Sequence, residues 1–134
     1  MDRALQELVW RRARGCCEYC KISQELDALA FEIDHIVPLV HGGKTIRSNL
    51  CLSCLFCNRH KGPNLAGIDP LSRRLTKLFH PRQHRWSFHF EWDGPLLVGL
   101  TAIGRTTIRV LNINDDLRVW LRSELIRESR FPSN

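Results

Sequence analysis

Long apolar runs are scarce in the 134-residue sequence. No apolar run approaches the roughly 20 residues that a membrane-spanning helix requires. The N-terminal stretch MDRALQELVWRRARG breaks its short apolar steps with charge, so it offers no apolar core of an export signal. These absences lead to the expectation of a soluble, cytoplasmic protein with no membrane partner and no small-molecule cofactor. They also argue against reading its cysteines as the disulfide framework of a secreted domain. Internal repeats and low-complexity segments are missing too, which excludes a solenoid. A chain of this length is one domain's worth, able to bury a modest core and helped by a metal staple.

What is present begins with cysteine. Four of the six cysteines form two pairs, Cys17-x2-Cys20 and Cys54-x2-Cys57, with 33 residues between the pairs. A two-residue gap lets a tight turn aim both sulfurs at one point, so two such knuckles can clamp a tetrahedral zinc ion from opposite sides. The competing reading, ordinary buried thiols, does not account for the doubled spacing. Cys16 competes with Cys17 for the first knuckle, but its gap of three residues to Cys20 makes Cys17 the better ligand. Cys51, in an apolar stretch, reads as a packed core thiol.

Charge is distributed unevenly. Residues 1–60 carry eight basic and seven acidic side chains, and residues 61–134 carry twelve and seven, so the excess of +6 lies mainly in the second half. Four thiolates around one zinc would make the first half more negative still. This division suggests that one half does chemistry while the other holds a polyanion; a generic basic surface is the plainer alternative.

Along the chain, Asp2–Ala13 places Leu5, Leu8, Val9 and Arg12 on one helical face. Phe31–Val37 alternates as a strand stopped by Pro38, a loop follows through Gly42-Gly43, and Leu50–Leu52 returns as a strand. A helix is expected from about Asn58 to Gly62-Pro63. Residues 71–79 read as a helical turn or an extended arm. Trp86–Trp92, Pro95–Leu100 and Arg105–Leu111 read as strands of a small antiparallel sheet, with a hairpin turn at Asp93-Gly94. Asn114, Asp115 and Asp116 cap a last helix whose apolar stripe is Leu117, Trp120, Leu121 and Leu125. The fold class is therefore α+β, with residues 1–62 as a core and 63–134 as a basic extension packed on it.

Between the knuckles lie Asp34-His35 and Asn49, and Asn58 follows directly after the second knuckle. A phosphodiester is anionic and repels hydroxide, so its hydrolysis needs a cation to neutralise the oxygens and a base to deprotonate water. A carboxylate and an amide oxygen are hard ligands suited to Mg²⁺, and histidine suits a base working near neutral pH. Adjacent strand residues point to opposite faces, so the strand should end or bend where Asp34 and His35 converge.

These residues carry a resemblance. Cys17-Glu-Tyr-Cys20, Glu32-Ile-Asp34-His35-Ile-Val-Pro38, Gly42-Gly43-Lys44, Ser48-Asn49-Leu50 and Cys54-Leu-Phe-Cys57-Asn58-Arg-His-Lys61-Gly62 together resemble the HNH endonuclease family in its four-cysteine zinc form. The resemblance implies a ββα-metal fold in which His35 is the general base and Asn49 fixes the loop and the histidine. It implies Asp34 and Asn58 as ligands of a catalytic Mg²⁺ or other divalent ion, with Cys17, Cys20, Cys54 and Cys57 holding a structural zinc. Asn58 stands where the family name has its last histidine, and a neutral amide binds an ion less firmly. Arg59, His60 and Lys61 are the candidate nucleic-acid contacts, Lys61 foremost because it shares a helical face with Asn58. His41, His80, His84 and His89 have no partner at ligand spacing. The activity implied is cleavage or nicking of DNA to leave a 5′ phosphate and a 3′ hydroxyl. The alternative is a non-catalytic zinc module that binds DNA or a protein partner.

Overall fold

The computed structural model describes residues 1–133. Helix α1, Arg3–Ala13, starts where the Asp2 carboxylate accepts from the Ala4 amide at 2.6 Å and ends in a left-handed Arg14. Its inward face buries Val9 completely, and Arg12 donates from that face to the Leu50 carbonyl. The first cysteine knuckle follows.

Strands β1, Glu32–His35, and β2, Leu50–Ser53, form an antiparallel hairpin in which Asp34 faces Cys51 and His35 faces Leu50. All of β2 is buried, whereas the most buried residue of β1 is Asp34 and not an apolar neighbour. Helix α2, Leu55–Lys61, begins three residues before the expected start at Asn58. The cause is the knuckle itself: the Cys54 sulfur accepts from the Cys57 amide at 3.3 Å and so serves as the N-cap.

The second half holds two more hairpins and three helices. Strands β3, Ala66–Ile68, and β4, Leu75–Lys77, pair antiparallel, which settles the 71–79 segment as partly extended. Trp86–Trp92 is not one strand: Trp86–His89 forms the short helix α3, and β5, Phe90–Asp93, pairs with β6, Leu96–Gly99, across the Gly94 turn. The strand expected over Arg105–Leu111 is instead helix α4, Ala102–Val110. Its β-branched residues misled the reading, because Thr101 caps the Gly104 amide at 3.1 Å and Thr107 bonds back to the Ile103 carbonyl at 2.7 Å. The Thr107 hydroxyl also accepts from the Phe79 amide at 2.8 Å, fixing α4 to the centre of the molecule.

Helix α5, Asp116–Arg127, is capped by Asp115 within the expected Asn114–Asp116 cluster, yet it is rotated from the expected stripe. Leu117 and Trp120 are 75% and 60% exposed, while Arg122 and Leu125 are buried. The inward face thus runs through Arg118, Leu121, Arg122 and Leu125, so only part of the expected stripe faces the core.

One apolar core joins both halves of the chain. Phe79 packs edge-on against Tyr19 at 6.4 Å and Phe90 at 5.2 Å, and the Trp86 indole donates to the Tyr19 carbonyl at 2.9 Å. Much of the basic excess of residues 61–134 is also used internally. Lys61, Arg82, Arg105 and Arg118 pair with Asp34, Glu18, Asp69 and Asp27 respectively. The exposed cations of this half include Arg73, Arg74, Lys77 and Arg109 around the β3–β4 hairpin and α4.

Asp69 organises that hairpin. Its carboxylate accepts from Arg105 at 3.0 and 2.9 Å and from the Leu71 and Ser72 amides of the turn, so its acidity is held well below the ordinary carboxylate range, chiefly by Arg105. A depressed folded-state value means that the unfolded chain takes up the proton first as pH falls. The pair therefore contributes its full stability above the ordinary carboxylate range and loses it progressively as pH falls from that range to the lower folded-state value. Asp69→Asn should lower the melting temperature at neutral pH, and the gap to the parent protein should narrow steadily as pH falls below the ordinary carboxylate range in thermal melts across pH.

Candidate metal centre and active site

The four sulfurs of Cys17, Cys20, Cys54 and Cys57 lie within 4.8 Å of one another, and all four residues are buried. The Cys20–Cys54 sulfur separation is 3.8 Å, which matches the edge of a tetrahedron built on Zn–S bonds of about 2.3 Å. Backbone amides support both knuckles: Cys20 donates to the Cys17 sulfur at 3.5 Å and Cys57 to the Cys54 sulfur at 3.3 Å. Without a cation the set conflicts with itself. Hydrogen bonds to Cys17 and Cys20 are the largest effect raising the Cys54 and Cys57 thiols above the ordinary range, and burial raises them further. A divalent soft-ligand ion removes that conflict, so the donor set fits zinc. Cys16 remains outside the cluster, half-buried, with its sulfur 3.6 Å from the Arg14 carbonyl. Cys51 is also outside it, and burial, followed by the charge of Asp34, keeps it a thiol.

The hairpin between the knuckles carries the remaining site residues. Asn49 is buried and its amide closes the loop between the strands: Oδ1 accepts from the Val37 amide at 2.8 Å, and Nδ2 donates to the Val37 and Lys44 carbonyls at 3.0 and 2.9 Å. The loop approaches so closely that a Cβ on Gly43 would lie 1.7 Å from the Val37 oxygen. Gly42 beside it takes φ of +84°, so the two glycines serve different needs. His35, half-buried at the end of β1, places Nε2 2.8 Å from the Thr45 hydroxyl of this loop. Thr45 is a site residue that nothing in the sequence pattern singled out.

On the other face of β1, toward α2, two pairs form. Asn58 donates from Nδ2 to the Glu32 carboxylate at 3.0 Å. One turn on, the Lys61 ammonium lies 3.0 Å from Asp34 Oδ2, 3.3 Å from Oδ1 and 3.2 Å from the His35 carbonyl. The Tyr19 hydroxyl donates to the same Oδ2 at 3.0 Å. Lys61 is 1% exposed, which corrects the expectation that it contacts phosphate: its charge is used on a buried carboxylate. Arg59 and His60 are exposed; His60 packs its ring on Phe56 at 4.2 Å and bonds the Phe56 carbonyl at 2.9 Å. Asp34 and Asn58 thus share the β1–α2 interface but do not form an ion cradle as arranged. Both Asp34 oxygens are engaged by Lys61, one of them also by Tyr19, and the Asn58 amide is turned to Glu32.

Residues 17–64 match the family model described as HNH endonuclease. No curated protein and no solved structure matches the chain. The matched HNH segment spans both knuckles, the β1–β2 hairpin and α2, in an α+β fold with its four-cysteine cluster inside that segment. None of the helices among the described residues is long and apolar enough to cross a membrane.

Chelation of the metal should unfold this segment, because the ion cross-links two knuckles 33 residues apart in the chain; loss of far-ultraviolet ellipticity on adding chelator, reversed by zinc, is the expected result. Lys61→Met should cost about 3–5 kcal/mol in urea unfolding, since it strands a buried carboxylate. An effect within ~0.5 kcal/mol would show instead that Asp34 is solvated.

Proposed function

We propose that this protein is an HNH-type endonuclease that hydrolyses DNA phosphodiester bonds, with residues 1–62 carrying the chemistry and 63–134 bracing them. The observation that carries the reading is His35: a half-buried imidazole at a strand end, oriented by Thr45, on a loop closed by Asn49, inside the matched segment. If Nε2 donates to the Thr45 hydroxyl, Nδ1 keeps its lone pair and takes the proton of an attacking water. Attack on phosphorus with loss of the 3′ oxygen leaves a 5′ phosphate and a 3′ hydroxyl. Lys44 and Arg47 of the same loop and Arg59 and His60 of α2 are exposed, and we assign them to the flanking phosphates.

The cation that such chemistry needs enters this reading as Mg²⁺ or a similar divalent ion. Asp34, the carboxylate read as its ligand, is held by Lys61, and no step is built on the ion here. That same observation favours a second reading, a zinc-stapled DNA-binding module without catalysis, in which Asp34 and Lys61 form only a structural pair.

Incubating supercoiled plasmid DNA with the protein separates the two. The endonuclease reading expects nicking or linearisation that requires added Mg²⁺ or Mn²⁺. His35→Ala should slow it by ~10²- to 10⁴-fold while zinc content and fold persist. Thr45→Val should slow it less. Plasmid shifted in a gel but uncut under every metal would establish the binding module, and equal cutting by the parent and His35→Ala would remove His35 as the base.

A further inference from the structure

Two arginines on the inward face of α5 lack the solvent that such side chains ordinarily seek. Arg122 is 1% exposed and its hydrogen bonds go to neutral acceptors: the Pro95 carbonyl at 2.8 Å, the Ile113 carbonyl at 3.0 Å and Asn114 Oδ1 at 3.2 Å. Its guanidinium also lies 5.2 Å from the Trp92 ring centroid. Among the described residues no carboxylate pairs with it within salt-bridge distance. A buried cation satisfied only by dipoles is costly unless a negative charge lies near. Burial lowers the acidity range of Arg122, and the foremost opposing influence is Cys20, a metal ligand, with Cys57 and Cys54 also contributing.

Arg118, one turn earlier on the same face, makes the contact directly. Its Nη2 donates to the Cys54 sulfur at 3.6 Å, both terminal nitrogens reach Asp27 Oδ2 at 3.3 Å, and its plane covers the Phe56 ring at 5.1 Å. Cys54 belongs to the second knuckle and Asp27 to the segment after the first, so one guanidinium bridges both sides of the cysteine cluster. Zinc bound by four thiolates carries a net charge of −2, and the Arg118 guanidinium, its side chain 13% exposed, sets positive charge directly against one of those sulfurs.

We propose that α5, outside the matched HNH segment, is the charge partner of the zinc centre, and that Arg118 is the residue through which the C-terminal extension controls how firmly the metal is held. Hydrogen bonds to coordinated sulfur lower the electron density that competes for protons and offset the dianion in a low-dielectric space. This holds whether or not the chain cuts DNA.

The test uses the full chain loaded with zinc, titrated with a chromogenic chelator that reports released metal. Arg118→Met keeps the aliphatic stem and removes the charge; it should release zinc at roughly tenfold lower chelator concentration. Arg118→Lys should recover most of that loss. Asp27→Asn removes the other partner of the same guanidinium while leaving the charge beside sulfur, so it should lower the melting temperature but hold zinc as the parent does. Zinc release unchanged in Arg118→Met, or equally weakened in Arg118→Met and Asp27→Asn, would overturn the proposal and reduce Arg118 to a packing residue. If Arg118→Met does not fold, Arg118→Lys decides: retention near the parent supports the charge role, and release as easy as from Cys54→Ala overturns it.

Discussion

Four sulfur atoms brought to one buried point constrain everything else in this molecule. Cys17 and Cys20 precede β1, Cys54 and Cys57 follow β2, so closing the cluster closes the hairpin between them. The same closure starts α2, because the Cys54 sulfur caps the helix, and it places Asn58 directly after a ligand. A small domain with limited apolar surface gains from such a staple what a larger core would supply by burial alone.

Polar groups as well as apolar ones surround the four sulfurs. Around the cluster the core is not apolar: Arg118 and Asp27 lie beside it, and Tyr19, Asp34, Cys51 and Lys61 form a second polar group under the hairpin. Each member has partners, as buried polar groups require. The two groups meet at the first knuckle, since Tyr19 lies between Cys17 and Cys20 in sequence and its carbonyl accepts from Trp86 of the extension. The extension is thus joined to the metal segment through arginines, an indole and Phe79, by specific polar contacts as well as by oil-like packing.

Where the sequence misled, the cause was physical and local. Of the stripe Leu117, Trp120, Leu121 and Leu125, the last two do pack on the core, but α5 also turns Arg122 inward and sets Arg118 against the Cys54 sulfur, leaving Leu117 and Trp120 outside. The β-branched run of α4 reads as strand until Thr101 and Thr107 spend their hydroxyls on helical backbone. Lys61 reads as a surface cation by its position on α2, and becomes a core residue because Asp34, one strand away, needs a partner.

Cysteine spacing determined the two knuckles and the hairpin expected between them, because a metal's bond lengths and a two-residue turn admit few alternatives, while the HNH resemblance pointed to Asp34, His35 and Asn49 around that hairpin and Asn58 on the helix after it. Tertiary structure alone decided which charges are free. Whether Lys61 meets phosphate or Asp34, whether Arg118 meets solvent or sulfur, and which hydroxyl orients His35 depend on elements far apart in the chain. Coulombic and hydrogen-bond partners are chosen by distance in space, which residue order does not encode.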